Sequence, residues 1–182
     1  MGKLSSFFTL ASGIFAVIPG LTVLISNVGV PPNASKTLFS ATIESLGVLT
    51  IILLWLNRKW IQGLTVRTVS KLGIISIVLF ITCLFLYIFL YGYLVFQYKI
   101  SEPLFFPLWS EGKLTYWLQK FGNRSDLIEN LGRDDVYRLI QESSMTPLLF
   151  TTLLMLFIYQ LIFVSLTFSF GIIGIKSHTD TA

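Results

Sequence analysis

Four long apolar stretches, separated by polar and charged punctuation, organise this chain of 182 residues. They run from about Leu4 to Val28, Leu38 to Leu56, Gly73 to Phe96 and Pro147 to Ile175. About 20 apolar residues in a helix cross a hydrocarbon layer of ~30 Å. The pattern therefore predicts four transmembrane helices. Pro19-Gly20 interrupts the first, and the missing backbone donor predicts a kink packed against protein. Gly29, Pro31, Pro32 and Asn33 predict a turn before the second. Pro147 suits the first position of the fourth helix, with Ser144 or Thr146 as its cap.

A different periodicity occupies the segment between the third and fourth stretches. Leu114, Trp117, Leu118 and Phe121 fall at i, i+3, i+4 and i+7, one face of a helix that Gly122-Asn123 ends. Ser125-Asp126 is positioned to cap a second piece carrying Leu127, Ile128 and Leu131, closed by Gly132. Asp134 is positioned to cap a third, in which Val136, Leu139 and Ile140 share a face. Ahead of them, Glu102 to Trp109 is bounded by prolines and strongly apolar, and reads as a stretch that lies along the membrane surface or re-enters it slightly. Three short amphipathic helices make a cap too small to be stable alone. Their apolar faces are expected to need the membrane domain or further copies of the chain.

Charge orients this framework. Lys3, Arg58, Lys59, Arg67, Lys71 and Lys176 all fall on one side of the four blocks, with Asp180 as the only acid there. The segment from Lys99 to Thr146 carries six Lys/Arg and seven Asp/Glu. Short loops rich in Lys and Arg stay cytoplasmic, so both termini are expected inside and the long segment outside. The fold class is then an all-α membrane protein with four transmembrane helices, N and C termini cytoplasmic, and a small helical extracytoplasmic cap between helices 3 and 4. Residues 1–182 form a single domain, including the cap at 98–146 and a basic cytoplasmic loop at 57–72.

Composition agrees. The chain is 54% hydrophobic and 12% charged, about half the charge of an ordinary soluble domain, with a mean hydropathy of +0.77. The net charge of +4 is accounted for by cytoplasmic flanks facing anionic headgroups, and direct nucleic-acid binding is not expected. Cys83 is the only cysteine, so an intrachain disulfide is excluded. The absence of cysteine from the outer face fits a bacterial inner (plasma) membrane.

Few residues suggest chemistry. Glu44 lies early in the second apolar stretch. It reads either as an ion, proton or subunit-locking site, or as a residue near the headgroups solvated by Thr42 and Ser45. Gln160, mid-way along the fourth, reads as a polar tie across a helix seam rather than a substrate contact. Arg58, Lys59, Arg67 and Lys71 form the obvious docking loop for a cytoplasmic protein partner. Trp109, Trp117, Phe121, Arg133 and Arg138 are the candidate sensing residues of the cap. Arg124, Arg133 and Arg138 are expected to neutralise Asp126, Glu129, Asp134 and Asp135. The single histidine and single cysteine cannot build a zinc site. No phosphate loop, HExxH or GxSxG occurs, so no enzyme activity, cofactor or metal is expected.

In its layout of helix blocks and outer cap, the chain resembles the membrane subunit (KwaA) family of the Kiwa anti-phage defence system. In the same layout it also resembles the immunity proteins against pore-forming colicins, although the large polar cap fits sensing better. The first resemblance implies a homo-oligomer in the inner membrane that senses phage attachment and works with a cytoplasmic partner. The second implies contact with a toxin helix inside the bilayer. An ion-conducting pore is a further reading, and a small transporter or membrane enzyme comes after it.

Overall fold

The computed structural model describes residues 36–98 and 103–180, with side chains described between Ala41 and Lys176 apart from that of Ile43. The first apolar stretch, its Pro19-Gly20 kink and the turn at Gly29–Asn33 lie outside the described residues. Elsewhere the chain is mostly helical. In order come α1 (Lys36–Leu56), α2 (Arg58–Gly63), α3 (Val66–Leu94), β1 (Val95–Phe96), β2 (Leu104–Phe105), α4 (Gly112–Phe121), α5 (Arg124–Leu131), α6 (Arg133–Ser143) and α7 (Met145–Asp180).

Two helices are long and apolar enough to cross a membrane, Val66–Leu94 and the Met145–Lys176 part of α7. The apolar part of α1, Glu44–Leu56, is shorter than a span ordinarily requires. Of the four expected spans, two therefore meet the length and composition of a crossing helix among the described residues.

The chain divides into two compact units. The first contains Lys36–Leu86 and, from α7, residues 158–180. Here Leu54, Ile61, Val69, Ile172 and Ile175 form a buried cluster, drawing together α1, α2, the start of α3 and the end of α7. Small residues allow close approach. A Cβ built on Gly73 would meet the Cδ1 of Ile173 at 3.2 Å, and one on Gly171 would overlap the side chain of Leu54. Ser76 Oγ donates to the Ser165 carbonyl at 2.8 Å and Ser169 Oγ to the Gly73 carbonyl at 3.2 Å. Where little hydrophobic effect separates helix from lipid, such packing and hydrogen bonding hold helices together.

What the charge pattern suggests as a basic loop at 57–72 is largely helical. Only Asn57, Leu64 and Thr65 fall outside helix, and α3 begins at Val66 rather than Gly73. The cause is local: Thr65 Oγ1 accepts from the Thr68 N–H at 3.3 Å and the Thr65 carbonyl receives the Val69 N–H at 3.1 Å. Those bonds satisfy donors that a helix start leaves open.

The second unit, Tyr87–Phe157, contains the three short helices expected of the cap. Their boundaries differ in their caps. Asn123, not Ser125 or Asp126, caps α5, its side chain accepting from the Asp126 N–H at 2.7 Å. Gly132, not Asp134, precedes α6, at φ 85° and ψ 153°. Ser144 does not cap α7 through its side chain. Its hydroxyl accepts from the Glu111 N–H at 3.0 Å and donates to the Glu111 carbonyl at 3.2 Å, tying the entrance of α4 to the exit of α6.

The apolar faces of these helices meet one another. Leu104, Phe106, Leu114, Leu127, Ile128, Val136 and Ile140 form one buried cluster, flanked by Trp117, Leu118, Phe121 and Tyr137. Within the proline-bounded stretch, Leu104, Phe105 and Phe106 turn into the unit and are buried there. Antiparallel pairing of Val95 with Phe105 and Phe96 with Leu104 holds it there. The apolar faces of the three helices are thus buried within a unit that also includes the end of α3 and the start of α7.

Candidate functional site

In the first unit, Gln160 is 8% exposed and its Nε2 donates to Thr42 Oγ1, joining α7 to α1. Among the described residues its Oε1 is buried without a hydrogen-bond partner, as is Thr167 Oγ1 two turns further on. Glu44 is exposed on α1, two residues from Thr42.

The four docking candidates are spread over α2 and the first turns of α3. Arg58 stands over the Trp55 ring, 4.4 Å from its centroid, and donates to the Trp55 carbonyl at 3.2 Å. Lys59, Arg67 and Lys71 are exposed. Lys176 of α7 donates to the Gln62 carbonyl at 2.9 Å, closing the C-terminal end of α2, where a cation complements the helix dipole. Beside this basic surface an apolar hollow of about 570 Å³ is lined by Leu53, Trp60, Ile61, Val164 and Phe168, among others.

In the second unit, the sensing candidates fall into separate clusters. Trp117 and Phe121 are stacked, with centroids 5.6 Å apart and planes 10° apart, and Lys120 Nζ lies 4.6 Å from the Trp117 centroid. Both rings also lean on the core, which leaves only part of each for a partner. Trp109 is 42% exposed. Its ring packs on Phe150 at 5.2 Å and its Nε1 donates to Glu111 Oε1 at 2.9 Å. Arg133 pairs with Asp134 at 3.0 Å, and Arg138 is exposed.

Arg124 departs from its expected role. Instead of neutralising the acidic residues, it donates to the Tyr93 carbonyl. Its guanidinium lies 4.9 Å from the Tyr93 ring centroid and 4.7 Å from that of Phe106. Burial pulls its pKa below the ordinary arginine value, and Tyr93 partly offsets that shift. It still remains charged, as arginine does in proteins. A recess of about 340 Å³ opens beside it, walled by Tyr93, Phe106, Trp109, Ser110 and Leu118, among others. Sequence reasoning missed this arrangement because the residues come from α3, the β2–α4 connection, α4 and α5. The only local signal was a cation at the first position of a helix, where the dipole disfavours it.

Comparison with protein-family models, curated proteins and solved structures finds no match to this chain.

Proposed function

We propose that the chain is a non-enzymatic, homo-oligomeric subunit of the bacterial inner membrane that senses an event at the cell envelope and relays it to a cytoplasmic protein partner. In this reading it crosses the bilayer four times, keeps both termini in the cytoplasm and displays its 98–146 segment outside. Its role is in anti-phage defence, as its layout resemblance to the Kiwa membrane subunit suggests.

One observation carries the reading. The stretch between two helices capable of spanning a bilayer is a unit with a closed apolar core and its own hydrogen-bonded ties. A bare connector between spans needs no core. A displayed recognition surface does, because side chains must be held in place to discriminate. The charge asymmetry of the flanks supports the orientation. Exposed Arg67, Lys71 and Lys59 supply a cytoplasmic contact surface. Self-association is assigned to α3, where Ile74, Val78, Ile81, Phe85 and Phe89 make one exposed apolar stripe at helical spacing.

The test combines assembly and protection. The purified chain should run as an oligomer in mild detergent. In its native genetic setting it should lower phage plating, and the double variant Arg58→Glu/Lys59→Glu should abolish that protection without changing the oligomer. A monomer, together with phage plating that is the same with and without the gene, would overturn the proposal.

A further inference from the structure

Arg124 presents an imbalance that the rest of the unit does not resolve. It is the first residue of α5, where the positive end of the helix dipole repels a cation. It is half-buried, and desolvating a charge is costly unless it is paired. Yet no carboxylate lies within ion-pairing distance of it among the described residues; the ion pair found there joins Arg133 to Asp134. One of its five N–H donors goes to the Tyr93 carbonyl, and the Tyr93 side chain also hydrogen-bonds to it, which leaves most of the fork without a protein acceptor among these contacts. The Tyr93 and Phe106 faces give it partial, cation–π compensation. Arg124 is also one of the residues lining an open recess, with Ser110 as a second polar wall and Trp109, Leu118 and Pro107 as apolar ones.

We infer that this recess binds a phosphate-bearing anion, with the Arg124 guanidinium as its anchor. A planar fork of N–H donors matches phosphate oxygens and makes charge-assisted bonds shorter and stronger than neutral ones. The aromatic and aliphatic walls take the apolar portion of the same molecule. A volume of about 340 Å³ falls at the small end of ligand sites, which begin near ~300 Å³, and suits a headgroup better than a whole lipid. Two sources share this chemistry: the headgroup of an anionic phospholipid, and a free phosphate compound. The choice of phosphate over carboxylate rests on the membrane reading proposed above, since Tyr93 and Trp109 are side chains that favour the headgroup layer.

The full-length protein is placed in nanodiscs of phosphatidylcholine with or without phosphatidylglycerol, and lipid retained on extraction is read by native mass spectrometry. Inorganic phosphate and glycerol 3-phosphate are titrated separately, with Trp fluorescence as readout. Phosphatidylglycerol should be retained over phosphatidylcholine, and Arg124→Gln should reduce that preference about tenfold or more. Arg124→Lys should keep part of it. Leu108→Trp, which fills the recess and leaves Arg124 in place, should also remove it, so that loss of folding in the glutamine variant cannot decide the result. Displacement of the lipid by either soluble phosphate at low concentration would identify the free compound as the source. Equal retention of both lipids with no response to either soluble phosphate would overturn the inference, as would anion binding unchanged in both Arg124→Gln and Leu108→Trp. The membrane reading fails separately, by labelling of Gln119→Cys and Gly63→Cys from the wrong sides of the membrane.

Discussion

Leu127→Ala tests the claim that the second unit is held by its own core. Leu127 is 0% exposed and sits among Leu104, Phe106, Leu114, Ile128, Val136 and Ile140. The substitution removes three buried carbons, about 2.4 kcal/mol at ~0.8 kcal/mol each. The space left behind adds roughly 0.6–1.2 kcal/mol for a residual cavity of about 25–50 Å³. The expected cost is about 3 kcal/mol, which corresponds to a factor of about 150 in an opening equilibrium. Hydrogen exchange of the protein in detergent reads it directly. Amides of α4, α5 and α6 should lose protection together by about that factor, while those in residues 66–86 and 160–176, which belong to the other unit, should keep theirs. Leu131→Ala, at a half-buried site on the same helix, should cost about half as much, because less area leaves water there. Unchanged protection in α4–α6, or an equal loss in both units, would refute the reasoning.

Other substitutions probe single contacts. Gly132→Ala forces a side chain into φ 85°, ψ 153°, a region held almost only by glycine, and should destabilise the second unit by about 1–3 kcal/mol in the same exchange assay. Gly63→Ala meets nothing within 4 Å and ends a short helix, so chemical unfolding should show no loss and a gain of up to about 1 kcal/mol. Thr42→Val removes the acceptor of Gln160 Nε2 and should cost roughly 0.6–1.7 kcal/mol in a detergent unfolding titration. Gln160→Leu also eliminates the unpartnered Oε1 and should be closer to neutral.

The helices of the second unit were legible in the sequence because each buries one face against the others. Leu114, Leu127, Ile128, Val136 and Ile140 stand at helical spacings on those faces, and all five are in the core. Their caps were less legible, since Asn123, Ser125 and Asp126 are all good N-caps and only the chain path decides among them. The start of α3 was misplaced because Arg67 and Lys71 dilute the apolar signal there; the Thr65 cap was the available clue. The β1–β2 pair could not be read, as two-residue strands have no periodicity and each finds its partner several residues away along the chain. That pairing is what turns Leu104 and Phe106 inward and brings Phe106 beneath Arg124. Gln160 was legible as a polar tie between helices because a buried amide needs a partner; which helix supplies it, through Thr42, depends on a contact far along the chain that no local pattern carries.

Cysteine accessibility in spheroplasts tests the central claim, the orientation of the chain in the membrane. Cys83 is the only native cysteine, so a Cys83→Ser background gives a clean baseline. Gln119→Cys and Gly63→Cys place single thiols at exposed positions on the proposed outer and inner sides. A membrane-impermeant maleimide should label Gln119→Cys in intact spheroplasts and Gly63→Cys only after permeabilisation. Labelling of Gly63→Cys from outside, or protection of Gln119→Cys until the membrane is opened, would contradict the account.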